Sequence, residues 1–328
     1  MTFPLYRRAG AVVFLDDDPD YLEMIAEVMP SDWFLHLMAR PAACIELLSA
    51  QTALDDADLW RQQEIINQWQ NGAALIPQIL QYWRDDGTTR YGLTQVCVVD
   101  YSMPAMSGLQ VLEALTKWPG ARVLLTGRAD EQLAISAFND GLIQQFITKQ
   151  SPKIRQRLTS AVESLFRTAS FRHDQTWRAT LTKEQRLLLN DPAIANALAA
   201  LANQQGWVEH VTIGAPFGIL ALDNAAKAIW LQLEPPDRLA ELAEMAESQG
   251  WDEPTVAQIC SGQQLIDLEL QLALGSGQKA APQDAFIVGG NPSQLHAAIF
   301  NIDALFSPLA SGSYQQFLAS SSNRQLQD

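Results

Sequence analysis

Three short runs of apolar, largely β-branched residues each end on charge. Val12-Val13-Phe14-Leu15 leads into Asp16-Asp17-Asp18, Val96-Cys97-Val98-Val99 into Asp100, and Phe146-Ile147-Thr148 into Lys149. Such runs suit strands buried on both faces of a parallel sheet, whose ligands bind outside the carboxyl ends of the strands. Asp16, Asp17 and Asp100 then offer hard oxygen ligands with no Cys or His cluster beside them, a set that favours Mg²⁺ over zinc. Without a cation, carboxylates so close repel and push one pKa upward; with one, all stay ionised. Asp100 is placed to attack a phosphoryl group, and Lys149 to pair with the phosphoryl oxygens or with Asp100 itself.

The elements that must hold these groups are legible around them. Strand-like Ala11 to Leu15, a helix from Pro19 to Val28, a strand from Trp33 to Met38 and a helix from Pro41 to Ser49 make a βαβα start. The alternation resumes with a strand at 95 to 99, a helix at 107 to 117, a strand at 121 to 125, a helix at 130 to 139, a strand at 144 to 148 and a helix opening near Pro152. Alternation of this kind implies an α/β fold, a doubly wound five-stranded parallel sheet. Residues 51 to 92 interrupt it with a pattern of two helices joined near Asn71-Gly72. That insertion either caps the domain's own core or presents its tryptophans to a partner.

These residues carry a resemblance. Residues 10 to 168 resemble the receiver domain of bacterial two-component response regulators, a flavodoxin-like fold. The resemblance implies Mg²⁺ on Asp16 and Asp17, a phosphoacceptor at Asp100 ahead of the loop Tyr101-Ser102-Met103-Pro104-Ala105-Met106-Ser107-Gly108, and a backbone carbonyl from Ser102 for the metal. It further implies that the Thr126 hydroxyl and Lys149 serve the phosphorylated state and that Phe146 is the switch side chain. The implied partners are a histidine kinase or phosphotransfer protein, an output protein, and a second copy of the chain in a homodimer. Taken singly these residues say little: Asp16-Asp17-Asp18-Pro19 alone is a turn and helix cap, and Asp100 alone a strand-end turn. Their order, each at a predicted strand end, carries the reading.

Two features depart from the family. Gln150 follows the lysine where the family has proline, and the insertion sets Asp17 and Asp100 83 positions apart. The insertion falls between the second helix and third strand, away from the metal-binding ends.

The remaining chain divides at a basic stretch. Residues 152 to 190 are helical in pattern, and 169 to 190 read as a helical linker carrying Arg172, Arg178, Lys183 and Arg186, more simply a solvated face than a nucleic-acid contact. Residues 191 to 328 hold four basic and fifteen acidic residues and read as a small α+β domain. Its hairpin around Gly218 to Asp223, the helices after it and three later strands, at 265 to 274, 285 to 288 and 295 to 302, resemble a PAS-like module without any diagnostic residue. The final residues, 320 to 328, read as frayed. There is no cyclase motif, Walker loop, paired His-Asp or helix-turn-helix, so the output is expected to be an interaction or sensory domain, not an enzyme. The alternatives are a transcription regulator using the basic linker and an unrecognised enzymatic output.

Composition sets outer bounds. The 328 residues carry a formal charge of −15, which argues against nucleic acid or an anionic membrane as the main partner. Cys44, Cys97 and Cys260 read as reduced, core-packed thiols, and no signal-peptide core precedes Asp16, so the cytoplasm is the expected compartment. His36, His173, His210 and His296 are scattered and read as structural.

Overall fold

The computed structural model describes residues 2–327 except 86, 105, 128–130, 170, 276, 291–292, 304–311, 322–323 and 325. Two compact units emerge. One comprises Ala9–Arg61, Thr88–Arg172 and Tyr314–Asp328; the other comprises Met1–Arg8, Gln62–Gly87 and His173–Ser313.

The first unit is built on a parallel sheet ordered Leu326–Gln327, Phe34–Met38, Ala11–Leu15, Thr94–Asp100, Ala121–Thr126, Gln145–Thr148. Alternate side chains of each strand enter two separate cores. Val12, Phe14, Val96, Val98 and Val123 pack with Leu22, Ile25, Leu158 and Val162 on one face. Val13, Leu15, Cys97, Val99 and Leu124 pack with Leu48, Val111, Leu112 and Ala134 on the other. Burial on both faces explains why the strands read as unbroken apolar runs, each such side chain contributing about 1.5–3 kcal/mol. The doubly wound, flavodoxin-like α/β expectation holds here.

The chain end departs from expectation. Residues 320 to 328 were expected to fray, yet Leu326 and Gln327 pair with Leu37 and Met38 as a sixth strand on the sheet's edge. Helix Tyr314–Ser320 precedes it, with Phe317 against Phe34 and Tyr91. Between them, the Arg324 guanidinium donates to the carbonyls of Ala26, Met29 and Pro30 at the end of helix Pro19–Val28. Those carbonyls have no partner within the helix, and a cation complements its negative end. Polar composition hid this, because edge pairing uses backbone, not apolar side chains.

The second helix, expected over 41 to 49, runs from Pro41 to Gln70. Neither Gly nor Pro interrupts 42 to 70, so nothing stops it before Asn71-Gly72, where Gly72 takes φ +96°. Cys44 and Leu48 near its start lie in a core of the first unit, whereas Ile65 and Ile66 near its end lie in a core of the other. Leu75–Asp85 follows, burying Leu75, Ile76, Ile79, Leu80, Tyr82 and Trp83. The expected insertion therefore divides: residues 51–61 and 88–92 stay with the first unit, residues 62–87 build the second unit's core, and most of its aromatics are covered, although Trp60 is 67% exposed.

The second unit is an antiparallel six-stranded sheet ordered Tyr6–Arg7, Trp207–Gly214, Phe217–Asp223, Ala228–Glu234, Ser293–Asn301, Phe286–Gly290. One face packs against helix Pro192–Gln204, the other against Leu75–Asp85 and Leu239–Ser248. From His173 on, the residues expected as a linker belong here too. His173 and Trp177 are buried, and both bond the fully buried amide of Gln62: His173 Nδ1 and Trp177 Nε1 lie 3.0 and 2.9 Å from Gln62 Oε1, whose Nε2 donates to Tyr82 Oη. The stretch expected as a strand from Leu265 to Leu274 is instead strand Gln264–Ile266 and helix Leu268–Leu274. Leucines at alternate positions imitate a strand, but Leu, Glu, Gln and Ala all favour helix, and Gly275 ends it at φ +59°. Cys260 is exposed, against the expectation that all three thiols are core-packed; Cys44 and Cys97 are buried. Among the described residues no helix is long and apolar enough to cross a membrane.

Candidate functional site

The charged residues predicted to converge do so at the carboxyl ends of the first unit's strands. Asp16 follows strand Ala11–Leu15 and is buried; Asp100 ends the adjacent central strand and is also buried; Asp17 is exposed. Carboxylate oxygens of the three lie within 4.8 Å of one another. Lys149, just after strand Gln145–Thr148, reaches across with Nζ 2.6 Å from Asp16 Oδ2 and 2.9 Å from Asp100 Oδ1.

Local structure fixes each carboxylate. The Asp18 amide donates to Asp16 Oδ1 at 3.1 Å, while the Asp18 side chain caps helix Pro19–Val28 by accepting from the Asp20 and Tyr21 amides. The Ser102 amide donates to Asp100 Oδ2 at 3.2 Å. The loop after Asp100 closes when the Gly108 amide donates to the Tyr101 carbonyl, and Ser107 with Gln110 forms a capping box for the next helix. Within that loop Ala105 lies outside the described residues, as does Asp130, expected to open the helix observed over Glu131–Asn139.

Charge and burial pull in opposite directions. Burial raises the Asp16 carboxyl above its ordinary value, against the hydrogen bonds from Lys149 and the Asp18 amide, which lower it. Burial alone would lower Lys149, but its hydrogen bonds to Asp16 and Asp100 prevail and its ammonium is held above the ordinary lysine value. The pocket therefore keeps one cation between two carboxylates, with the third carboxylate, Asp17, at the solvent side.

Thr126 ends strand Ala121–Thr126, fully buried, its Oγ1 without a hydrogen-bond partner. Phe146 is half-buried beside it in the sheet, paired with Leu124. Gln150 in place of proline does not displace the lysine: the Lys149 amide donates to the Thr126 carbonyl, and the Ser151 amide to the Thr148 carbonyl, both at 2.9 Å.

The sequence reading missed Tyr21. Its ring lies 4.5 Å from Lys149 Nζ, its hydroxyl is buried without a partner, and burial pushes that hydroxyl up to about 12. Its place in the first turn of the helix after the acidic pair was the available signal, since that turn points at the same strand ends.

This is the strand order of the receiver fold, in which the switch of strand order opens a crevice at the carboxyl ends of the strands. The chain as a whole is similar to the structure of the Legionella pneumophila response regulator LqsR, with a TM-score of 0.74 and 21% identity over 99% of both chains. At that identity the likeness is one of fold, and it extends to both units. A response regulator receiver domain from Clostridium thermocellum matches at TM-score 0.31 and 18% identity, covering 49% of this chain and 95% of its own. The signal receiver domain of an HD domain-containing protein from Pseudomonas fluorescens matches at 0.33 and 17%, covering 50% and 98%. No family model and no curated protein matches the sequence.

Proposed function

We propose that the protein is a two-component response regulator that accepts a phosphoryl group on Asp100 and relays the change to a non-DNA-binding output unit. The observation that carries the reading is Lys149 Nζ held between Asp16 and Asp100 while the Thr126 hydroxyl, at the next strand end, is buried with no partner. An unpartnered buried hydroxyl is costly by about 1–3 kcal/mol, and an incoming phosphoryl oxygen would satisfy it.

The donor set fits a hard divalent cation: three carboxylates with oxygens within 4.8 Å and no nitrogen or sulfur ligand among them. Asp16, Asp17, Asp100 and the Ser102 carbonyl would hold Mg²⁺. When bound, it supplies charge neutralisation for the transferring oxygens. The protein's own part is nucleophilic. An Asp100 carboxylate oxygen bonds to phosphorus as the bond to the donor's imidazole nitrogen, or to the acetate oxygen of acetyl phosphate, breaks. Lys149 is then free to pair with the phosphoryl oxygens and Thr126 to donate to one of them. Because the phosphoryl group adds about −1.5 to −2 charge, the pull on Thr126 is strong, and Phe146 would turn into the space it leaves.

The donor is a histidine kinase or phosphotransfer protein, the compartment the cytoplasm, and the working state a homodimer. Of the alternatives, the basic linker as a DNA-binding element has lost support: His173 and Trp177 are core residues, and Arg172 pairs with Asp55 and Asp56 at 3.5 and 2.7 Å. An enzymatic output keeps one observation, a cleft in the second unit. Incubation with acetyl phosphate and Mg²⁺ should give a base-labile, hydroxylamine-sensitive adduct of one phosphate by intact mass. Modification of Asp100→Asn to the wild-type extent would refute the assignment.

A further inference from the structure

The cleft lies at one end of the antiparallel sheet, where the Gly214–Phe217 turn, the end of strand Ala228–Glu234 and helices Lys183–Asn190 and Leu268–Leu274 meet. Its volume is about 880 Å³, the size of a small-molecule site. Among the described residues four carboxylates line it, those of Glu184, Glu234, Asp237 and Glu269, against a single cation. That cation, Arg238, is already matched by Glu269 at 3.0 Å and Glu241 at 3.4 Å. The unanswered charge of the cleft is negative.

Glu234 is the group that singles the cleft out. It is 3% exposed, the deepest of the four carboxylates, and it ends its strand at the cleft wall. Gln232 Nε2 donates to its Oε1 at 2.9 Å. Next to it the side-chain Oε1 of Gln232 is buried without a partner. A buried carboxylate is expensive to keep charged unless something cationic reaches it. The lining is also apolar in part: Phe217 and Met245 contribute to it, as do Leu187 and Leu272, which are 63% and 67% exposed. Exposed leucines flanking a concave surface are what an apolar ligand body would cover.

We infer that this cleft binds a small organic cation, a protonated amine on an apolar body, with its ammonium on the Glu234 carboxylate and its body between Phe217, Met245 and the two exposed leucines. The site is independent of the phosphoacceptor pocket and stands or falls apart from it. Burial raises the Glu234 carboxyl to about 7, the nearby Glu269 and Glu241 adding and Arg238 subtracting. Binding is therefore measured at pH 8, where the carboxylate form prevails.

The test is calorimetric titration of the full-length protein with phenethylamine, 2-phenylethanol and phenylacetate, which share a body and differ in charge. Phenethylamine is expected to bind, with the alcohol and the acid at least tenfold weaker. Glu234→Gln should weaken the amine at least tenfold, whereas Glu184→Gln, at the exposed rim, should stay within about twofold. Leu187→Lys, an exposed position that leaves the core alone, should weaken the amine and strengthen phenylacetate even if Glu234→Gln folds poorly. The inference fails if the alcohol or the acid binds as well as the amine, if Leu187→Lys leaves the preference unchanged, or if the amine shows no binding up to about 5 mM.

Discussion

Gly108 stands so close to Asp100 that a β-carbon on it would lie 2.3 Å from the Asp100 carbonyl oxygen. The obstacle is backbone, so it cannot swing away as a side chain would. Gly108→Ala should therefore move the loop that carries the Ser102 amide away from Asp100. Unfolding in urea is expected to show a loss of about 2–4 kcal/mol, with slower phosphorylation by acetyl phosphate. A change below about 0.5 kcal/mol would show that the loop tolerates the extra atom.

Removing the cation from between two carboxylates leaves them facing each other. Lys149→Met should lower stability in chelator by about 2 kcal/mol, a figure reduced from the fully buried case because the lysine side chain is 24% exposed. Mg²⁺ should restore more of that loss than it adds to the wild type, because the carboxylates then have a second source of positive charge. Thermal melts with and without the metal check this. Equal Mg²⁺ responses in the two proteins would contradict the placement of the cation.

Asp174 gives the second unit a pH dependence. Its carboxyl accepts from the Tyr6 amide at 2.8 Å, and burial pushes it up to about 7 from 3.8. A folded-state value above the unfolded one means that the folded protein holds the proton more tightly. The contribution is thus present below about pH 4 and lost as pH rises through 7. Asp174→Asn keeps an acceptor for Tyr6 without the charge. It should match wild type near pH 4 and exceed it at pH 8, by a few degrees in melting temperature. Buried His210 works the other way, since burial lowers it to about 3 from 6.5 and its contribution is lost as pH falls below 6.5. Comparing variant with wild type at each pH cancels that effect. Parallel pH profiles for the two proteins would contradict a raised Asp174 carboxyl.

Arg324 ties the end of the chain to the first helix, next to the Leu326–Gln327 edge strand. Arg324→Ala should cost about 1–2 kcal/mol and speed amide exchange in strand Phe34–Met38, which would lose its outer neighbour. Unchanged exchange there would mean that the edge strand holds without the arginine.

What was legible in the sequence follows from what each feature depends on. Parallel strands buried on both faces write themselves as apolar runs, so Asp16, Asp100, Thr126 and Lys149 could be placed at strand ends, and the Asp16-Asp17-Asp18-Pro19 run marked the start of its helix by local capping. Long-range packing leaves no such mark. Nothing near Gln62 says that its amide meets His173, Trp177 and Tyr82, and Tyr6–Arg7 is too short to show a period as a strand. The alternating leucines of 268 to 274 carry a strand's pattern on a helix former's composition, and there composition decided.

The central claim is that one residue, Asp100, takes the phosphoryl group. Treating the protein with acetyl phosphate and Mg²⁺, then with borohydride, reduces an aspartyl phosphate to homoserine, which mass spectrometry of peptides locates. Conversion at position 100 alone, absent when Mg²⁺ is omitted, is the predicted result. Conversion at Asp16, Asp17 or any other carboxylate, or none at Asp100, would contradict it.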